Sequence, residues 1–329
     1  MSTADRADLR TVVIAGGLSY EREVSLRSGR RVADALRGLG VETTLLDVDA
    51  DLVHHLADLR PDAAFLALHG PSGEDGSLRA VLDLVGVPYV GSGPDACRLA
   101  WDKPSAKSLV RAAGLTTPDW VALPKSTFRE LGADAVLPQI LARLGLPLMV
   151  KPASCCSSLW AERVASEDDL PGCLVSSFAY GDTVLIEPFV EGVEIAVTVL
   201  HDDSPGPSAL PAVEITPSSG IFDYPSRYTP GTTTYHCPAR LADGVRADAE
   251  AAAVRAHVAL GLRDISRFDA IVTPDGAVNF LEINAAPGMT ETSMTPMAIA
   301  AAGRTLGQTC RSLLTVAANR SAQRTTPAL

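Results

Sequence analysis

Four side chains able to bind a cation or steady an anion gather in one short stretch of the chain. Arg267 and Asp269 precede the turn Pro274-Asp275-Gly276, and Glu282 and Asn284 follow it. The turn pairs the strand FDAIVT with the strand AVNFLEIN, and side chains two apart on a strand point to one face. Two carboxylates and an amide oxygen on one face suit a hard cation such as Mg²⁺, above all when phosphate oxygens complete its shell. A solvated hairpin face would look the same in sequence. Against that, FLEIN sets polar groups inside an otherwise apolar strand, which costs free energy unless they are used.

Other single residues carry chemistry and plain alternatives in equal measure. Lys151 lies between the apolar run PLMV and Pro152, whereas Lys103, just before Pro104, also fits an exposed lysine at a helix start. His69 ends the run AAFLALHG, where it could act or simply hydrogen-bond a loop. Glu21 and Glu23 could offset a helix N-terminus, and Glu194 could be the outward residue of an alternating strand. Cys155-Cys156 reads more simply as two small apolar loop residues than as a redox pair.

These side chains need a scaffold, and the 329 residues are enough for two or three small domains. Over the first 120 residues short β-branched runs alternate with helical spacing: TVVIAGG, a helix over 23–39, VETTLLDVD, AAFLALHG, a helix near 78–84 and a short strand at 87–90. That alternation predicts a doubly wound parallel sheet whose ligands collect at Gly16-Gly17 and His69-Gly70. After Pro118 the pattern becomes that of antiparallel strands, with a helix over 133–144. The polar run 202–211 predicts a turn, and the Gly-, Pro-, Thr- and Tyr-rich run 218–238 a candidate active-site loop. A helix over 247–260, the hairpin and a terminal helix follow, with a frayed tail from Thr315.

Composition narrows the functions available. A net charge of −11 repels polyanions, so no nucleic-acid partner is expected. No apolar run is long enough to span a membrane, and the charged start MSTADRADLR lacks a secretory signal's apolar core. The six cysteines match neither a disulfide framework nor a zinc motif, so reduced thiols in a cytoplasmic protein are expected. Val12–Gly17 has no G-x-G-x-x-G, which removes a dinucleotide-binding dehydrogenase.

Several motifs in order carry a resemblance to a family. ISRFDAIV and FLEINAAPGMTETSMTP resemble the metal and substrate segment of D-alanine–D-alanine ligases, which belong to the ATP-grasp superfamily. AGGLSYEREVSLRSG, LALHGPSGEDGSLRAVLDLVGVPYVGSG, WDKPSAK, PLMVKP, VLIEPFVEGVEIAV and FDYPSRYTPGTTTYHCPA follow that family's order, so the resemblance runs from about Val12 to Met297. It implies an α/β ATP-grasp fold: an N-terminal doubly wound parallel-sheet subdomain over 1–118, then α+β subdomains over 119–200 and 201–329 enclosing the nucleotide. It also implies ATP, Mg²⁺ or Mn²⁺, small amino-acid substrates, a cytoplasmic homodimer and a dipeptide destined for peptidoglycan.

The family reaction turns the carboxylate of a first amino acid into an acyl phosphate, which the amine of a second attacks. Catalysis of this kind is mostly positioning and charge neutralisation. By resemblance Lys103, Lys151 and Ser158 meet the ATP phosphates, and Glu187 and Glu194 the adenine and ribose. Asp269, Glu282 and Asn284 hold the metal ions, while Arg267 and the Gly288 N–H stabilise the oxyanion. Glu21 takes the first ammonium group with His69 nearby, Ser157 and Tyr228 belong to the catalytic set, and Ser293 and Met294 hold the second carboxylate.

Two departures stand out. In the glycine-rich loop after Lys151, Cys156 and Trp160 replace glycines, so side chains crowd a cradle that backbone N–H groups should line. Arg227 stands before Tyr228 where the family has lysine. They leave two alternatives: a homologue with an altered substrate in secondary metabolism, or an inactive binding or regulatory protein.

Overall fold

The computed structural model describes residues 9–154, 161–218 and 231–324. Its first sheet is parallel, with the apolar β1 (Arg10–Ala15) between β2 (Glu42–Asp47) and β3 (Ala63–Leu66). Helices α1 (Arg22–Arg37) and α2 (Leu52–Leu59) make the crossovers; α1 turns Val32, Ala33 and Leu36 into the core. The short helices α3 (Pro71–Glu74) and α4 (Ser77–Val85) follow β3. The strand expected at 87–90 is only a single parallel bridge, Ala64 to Tyr89. Pro88 has no N–H with which to extend the ladder.

Helices α5 (Pro94–Trp101) and α6 (Lys103–Ala112) lead into the second sheet. It is antiparallel, ordered β4-β7-β5-β6 with β4 (Val121–Pro124), β5 (Leu148–Pro152), β6 (Glu162–Val164) and β7 (Thr183–Pro188). Helices α7 (Lys125–Leu131), α8 (Ala133–Leu144) and α9 (Leu170–Phe178) go with this sheet, where Ile140, Leu148, Leu170 and Ile186 share one core.

The third sheet runs β11-β10-β8-β12-β13, with β9 (Ser208–Ala209) beside β8. Its strands are β8 (Val193–Leu200), β10 (Val213–Pro217), β11 (Thr233–His236), β12 (Ile265–Val272) and β13 (Val278–Asn284). Helix α10 (Asp243–Ala259) packs on it through Ala249, Ala252, Ala253 and Ala256. β8 follows β7 closely in sequence but pairs with β10 and β12. The sequence grouping of 119–200 therefore joins strands that hydrogen-bond in different sheets; the change of sheet falls at residues 189–192.

The tail expected from Thr315 is instead helix. After α11 (Met294–Ala301), α12 (Leu306–Arg324) buries Leu313, Leu314, Ala317 and Ala318. Arg320 grips both carboxylate oxygens of buried Asp264 at 2.6 and 2.7 Å and donates to the Tyr89 carbonyl at 2.9 Å. Asp264 also accepts the Gly91 N–H at 2.7 Å, so one carboxylate ties the first and third sheets to the last helix. Removing one partner of a buried ion pair leaves the other charge uncompensated. Arg320→Ala is expected to cost about 2–3 kcal/mol, below the range for fully buried pairs because Arg320 is partly exposed; urea unfolding measures it.

Candidate functional site

A cleft of about 480 Å³ opens between the second and third sheets. Met149 and Lys151 of β5 and Glu187 and Pro188 of β7 form one wall, Glu194, Glu214, Asp269, Ile271 and Glu282 of the third sheet the other. Phe189–Val193, the passage between the sheets, lines it as well.

Two of the hairpin residues, Asp269 and Glu282, line the cleft, and Arg267 and Asn284 are paired beside them. β12 and β13 put Arg267 opposite Asn284 and Asp269 opposite Glu282. Arg267 donates from Nε and one terminal nitrogen to the two oxygens of Asp269, both at 2.7 Å. Burial opposes its charge, but Asp269, with Glu282 and Glu74 behind it, raises the guanidinium pKa on balance, so Arg267 stays charged. The Asn284 amide oxygen accepts the Ala286 N–H at 2.7 Å and keeps a second lone pair. Among the described residues no three His, Cys, Asp or Glu side chains form a self-sufficient metal cage. Two carboxylates and an amide oxygen fit a hard cation that takes its remaining ligands from other oxygen donors.

Both lysines singled out in the sequence rest on carboxylates. Lys103, first residue of α6, lies 3.4 Å from Glu282. Lys151 bonds Glu187 at 2.5 Å. Glu187 is held on its other oxygen by Lys107 at 2.7 Å. Burial would raise the Glu187 pKa, but Lys151 and Lys107 together hold it below the usual carboxylate value.

A second group gathers beyond the C-terminal ends of β1 and β3. Glu21 is buried at the start of α1, where its carbonyl accepts the Ser25 N–H at 2.9 Å. Asp47 pairs with Arg22 and accepts the Gly17 N–H, which fixes the turn leading to Glu21; its carboxyl falls to about 2, chiefly through the Arg22 bond. Ser28 joins two loops: its Oγ is 3.2 Å from His69 Nε2 and accepts the Met289 N–H at 3.2 Å. A β-carbon at Gly288 would lie 2.7 Å from Ser293 Oγ and 3.8 Å from His69, so glycine lets these segments meet. Ser293 bonds Thr290 Oγ1 at 2.8 Å and precedes Met294, buried at the head of α11.

Glu74 stands between the two groups. Its Oε1 accepts the Gly70 N–H at 3.0 Å. Burial pushes its carboxyl up to about 8, and the charge of Glu21 adds to the shift. Arg267 opposes it and Glu282 reinforces it, so one carboxyl responds to both groups.

The structure thus sets Lys151, Glu187, Glu194, Asp269 and Glu282 along one cleft with Lys103 beside Glu282, and brings His69, Gly288 and Ser293 together, with Glu21 at the start of α1 and Met294 at the head of α11. Ser157, Ser158 and Tyr228 lie outside the described residues, as do Cys155, Cys156, Trp160 and Arg227. Sequence reasoning missed Lys107, Glu74 and Ser28. Lys107 had a readable signal: it falls on the buried stripe of α6 with Ala106 and Val110, where a charge needs a partner. Glu74 offered only its place in the glycine-rich run after His69, and Ser28 none.

Comparison with known proteins finds one family over most of the chain. A family model described as D-ala D-ala ligase C-terminus matches residues 109–315, and one described as D-ala D-ala ligase N-terminus matches residues 54–92. The D-alanine–D-alanine ligase of Anaeromyxobacter sp. (strain Fw109-5) is 40% identical over 309 residues, covering 94% of this chain and 97% of its own. That of Oleidesulfovibrio alaskensis is 44% identical over 297 residues, 90% of this chain and 92% of its own. The crystal structure of D-alanine–D-alanine ligase from Bacillus anthracis complexed with ATP superposes with a TM-score of 0.80 at 29% identity, covering 97% of this chain and 100% of that one. VanG D-Ala:D-Ser ligase from Enterococcus faecalis gives 0.78 at 28% identity, covering 93% and 98%.

Proposed function

The chain belongs to the D-alanine–D-alanine ligase family, and on that premise we propose that it joins two molecules of D-alanine, with ATP in the cleft between the second and third sheets and the amino acids in a site beside it. It is an ATP-dependent carboxylate–amine ligase with the ATP-grasp fold: it activates one amino acid's carboxyl group as an acyl phosphate and joins it to the amine of another. The observation that carries the reading of the site is the hairpin face: Asp269 and Glu282 line the cleft with Lys151, Lys103 rests on Glu282, and Arg267 grips Asp269.

Each side chain then has a task. Lys103 and Lys151 exchange their carboxylate partners for phosphate oxygens, which flexible ammonium groups do without reshaping the backbone. Glu187 and Glu194 face the nucleoside, and Ser158 adds a hydroxyl at the phosphates. Asp269, Glu282 and Asn284 would hold Mg²⁺, or Mn²⁺ in its place, which when bound neutralises phosphate charge. Arg267, locked in one orientation by Asp269, and the Gly288 N–H stabilise the oxyanion formed when the second amine attacks. Glu21 binds the first ammonium group, with Ser157 and Tyr228 in the same catalytic set. His69, oriented by Ser28, stands beside the reacting carboxyl, and Ser293 and Met294 take the second carboxylate. In this reading 1–118 contributes Glu21 and His69 to the amino-acid site and 201–329 contributes Gly288, Ser293 and Met294, while the cleft lies between the second sheet, within 119–200, and the third, formed by β8 with the strands of 201–329. We further propose a cytoplasmic homodimer supplying dipeptide to peptidoglycan synthesis.

The test is ADP formation with Mg²⁺ and ATP in the presence of D-alanine, of a panel of D- and L-amino acids, or of no amino acid. Turnover that depends on D-alanine is expected, with the dipeptide recovered in equal amount to ADP. Turnover with another amino acid in preference to D-alanine overturns the substrate but not the chemistry. A folded protein that makes no ADP in any arm overturns the reading.

A further inference from the structure

Lys107 has no place in the mechanism above, yet it is the most completely buried lysine among the described residues, with no exposed surface. It does not line the cleft. It stands behind Glu187, which does, and bonds its Oε2 at 2.7 Å while Lys151 bonds Oε1 from the cleft side. The remaining contacts of the Lys107 ammonium hold it in place: Thr117 Oγ1 at 2.7 Å, itself donating to the Phe280 carbonyl, and the Trp120 ring at 5.3 Å. Two buried ammonium groups therefore share one buried carboxylate, and one of the two faces the cleft.

That surplus matters when Lys151 moves. A lysine that must both pair with Glu187 and meet phosphate can leave the carboxylate only if the carboxylate is not stranded, since a buried charge without a partner is costly. Resting on the reading of the cleft as the ATP site, we propose that Lys107 is a positioning residue for nucleotide binding, keeping Glu187 paired so that Lys151 can transfer its ammonium group to the phosphates. Lys107 thus acts through Glu187 and Lys151 and never touches the nucleotide.

The charge balance around Lys107 gives the idea a pH signature. Burial lowers its pKa to about 8, with Glu187 of β7 opposing the shift and Lys151 of β5 and Arg111 of its own helix adding to it. Above that pH Glu187 loses its rear partner and holds Lys151 more tightly, so ADP affinity should fall. Arginine stays charged throughout the accessible range.

The test is the Kd for ADP with Mg²⁺, measured calorimetrically on the full chain, with the thermal unfolding midpoint of each ligand-free variant as the check on folding. Lys107→Met is expected to raise Kd by about tenfold or more, the scale of a stranded buried charge. Combining it with Glu187→Gln should restore Kd to within about threefold of Glu187→Gln alone, because a neutral amide no longer needs Lys107. A merely structural role predicts the reverse, a double variant weaker than either single one. If Lys107→Met does not fold, the pH series decides: wild-type Kd should rise above pH of about 8 while Lys107→Arg stays level. A Kd for Lys107→Met within twofold of wild type, additive losses in the double variant, or identical pH profiles for wild type and Lys107→Arg would each overturn the inference. Wild-type protein that binds no ADP at any pH overturns the ATP-site reading itself, and the inference with it.

Discussion

Arg267→Met is expected to lower kcat by about 10²–10³-fold, the range for removing one oxyanion donor from a preorganised site. The orientation of the guanidinium is what makes the loss large. Asp269 fixes it through two parallel 2.7 Å bonds, so no reorganisation is needed when charge develops on the substrate oxygen. The same pairing means that methionine removes the charge compensating buried Asp269, a loss of about 3–5 kcal/mol for a broken buried pair. Activity and stability therefore have to be separated. Arg267→Lys keeps the charge but not the fork, and should fold with a midpoint near wild type while still losing most of kcat. Steady-state kinetics with each substrate varied in turn, beside thermal unfolding, makes the check. The KM for ATP should move far less than kcat, because the interaction is made only in the transition state. A kcat for the lysine variant within threefold of wild type would remove Arg267 from the chemistry.

The hairpin could be read from sequence because its information is local. Period-2 alternation and the Pro-Asp-Gly turn pair the strand of Asp269 with the strand of Glu282 and Asn284, and the structure shows that pairing; the bulge between Asp269 and Ala270, which brings Asp269 opposite Glu282, had no signal in the pattern. Helices at 133–144 and at the C-terminus were legible for the same reason. What sequence concealed was long-range. The strand at 87–90 looked intact until the missing N–H of Pro88 met the edge of β3. α12 looked frayed from Thr315 because its anchor, Asp264, is 56 residues away from Arg320. Lys107 and Glu187 are 80 residues apart, and nothing near either one announces the pairing. The roles of Glu21, His69 and Ser293 came from family resemblance; their gathering across Ser28 and Gly288 is a matter of the fold.

The sheet change at residues 189–192 leads to the second large expectation. Gly192 lies where the chain leaves β7 and enters β8, and it lines the cleft. A β-carbon there would sit 2.2 Å from the Val272 carbonyl oxygen and 2.7 Å from the Ile271 side chain. The nearer atom is backbone within a paired strand, so it cannot rotate out of the way as a side-chain end could. Gly192→Ala must push β8 away from β12 at Val193–Val272, the last rung of their ladder. Forced overpacking of this kind costs about 1–3 kcal/mol and sometimes more. Because the displaced segment carries Glu191 and Val193 of the cleft wall, nucleotide binding should suffer beyond the stability loss. We expect ADP affinity to fall about tenfold, equivalent to about 1.4 kcal/mol, while the amino-acid site at Glu21 and His69, built on the first sheet, keeps its geometry. The comparison that decides is ADP titration beside the KM for amino acid at saturating ATP. A larger change in the amino-acid KM than in ADP affinity would show that strain at residue 192 travels through the third sheet to Gly288 instead of staying in the cleft wall.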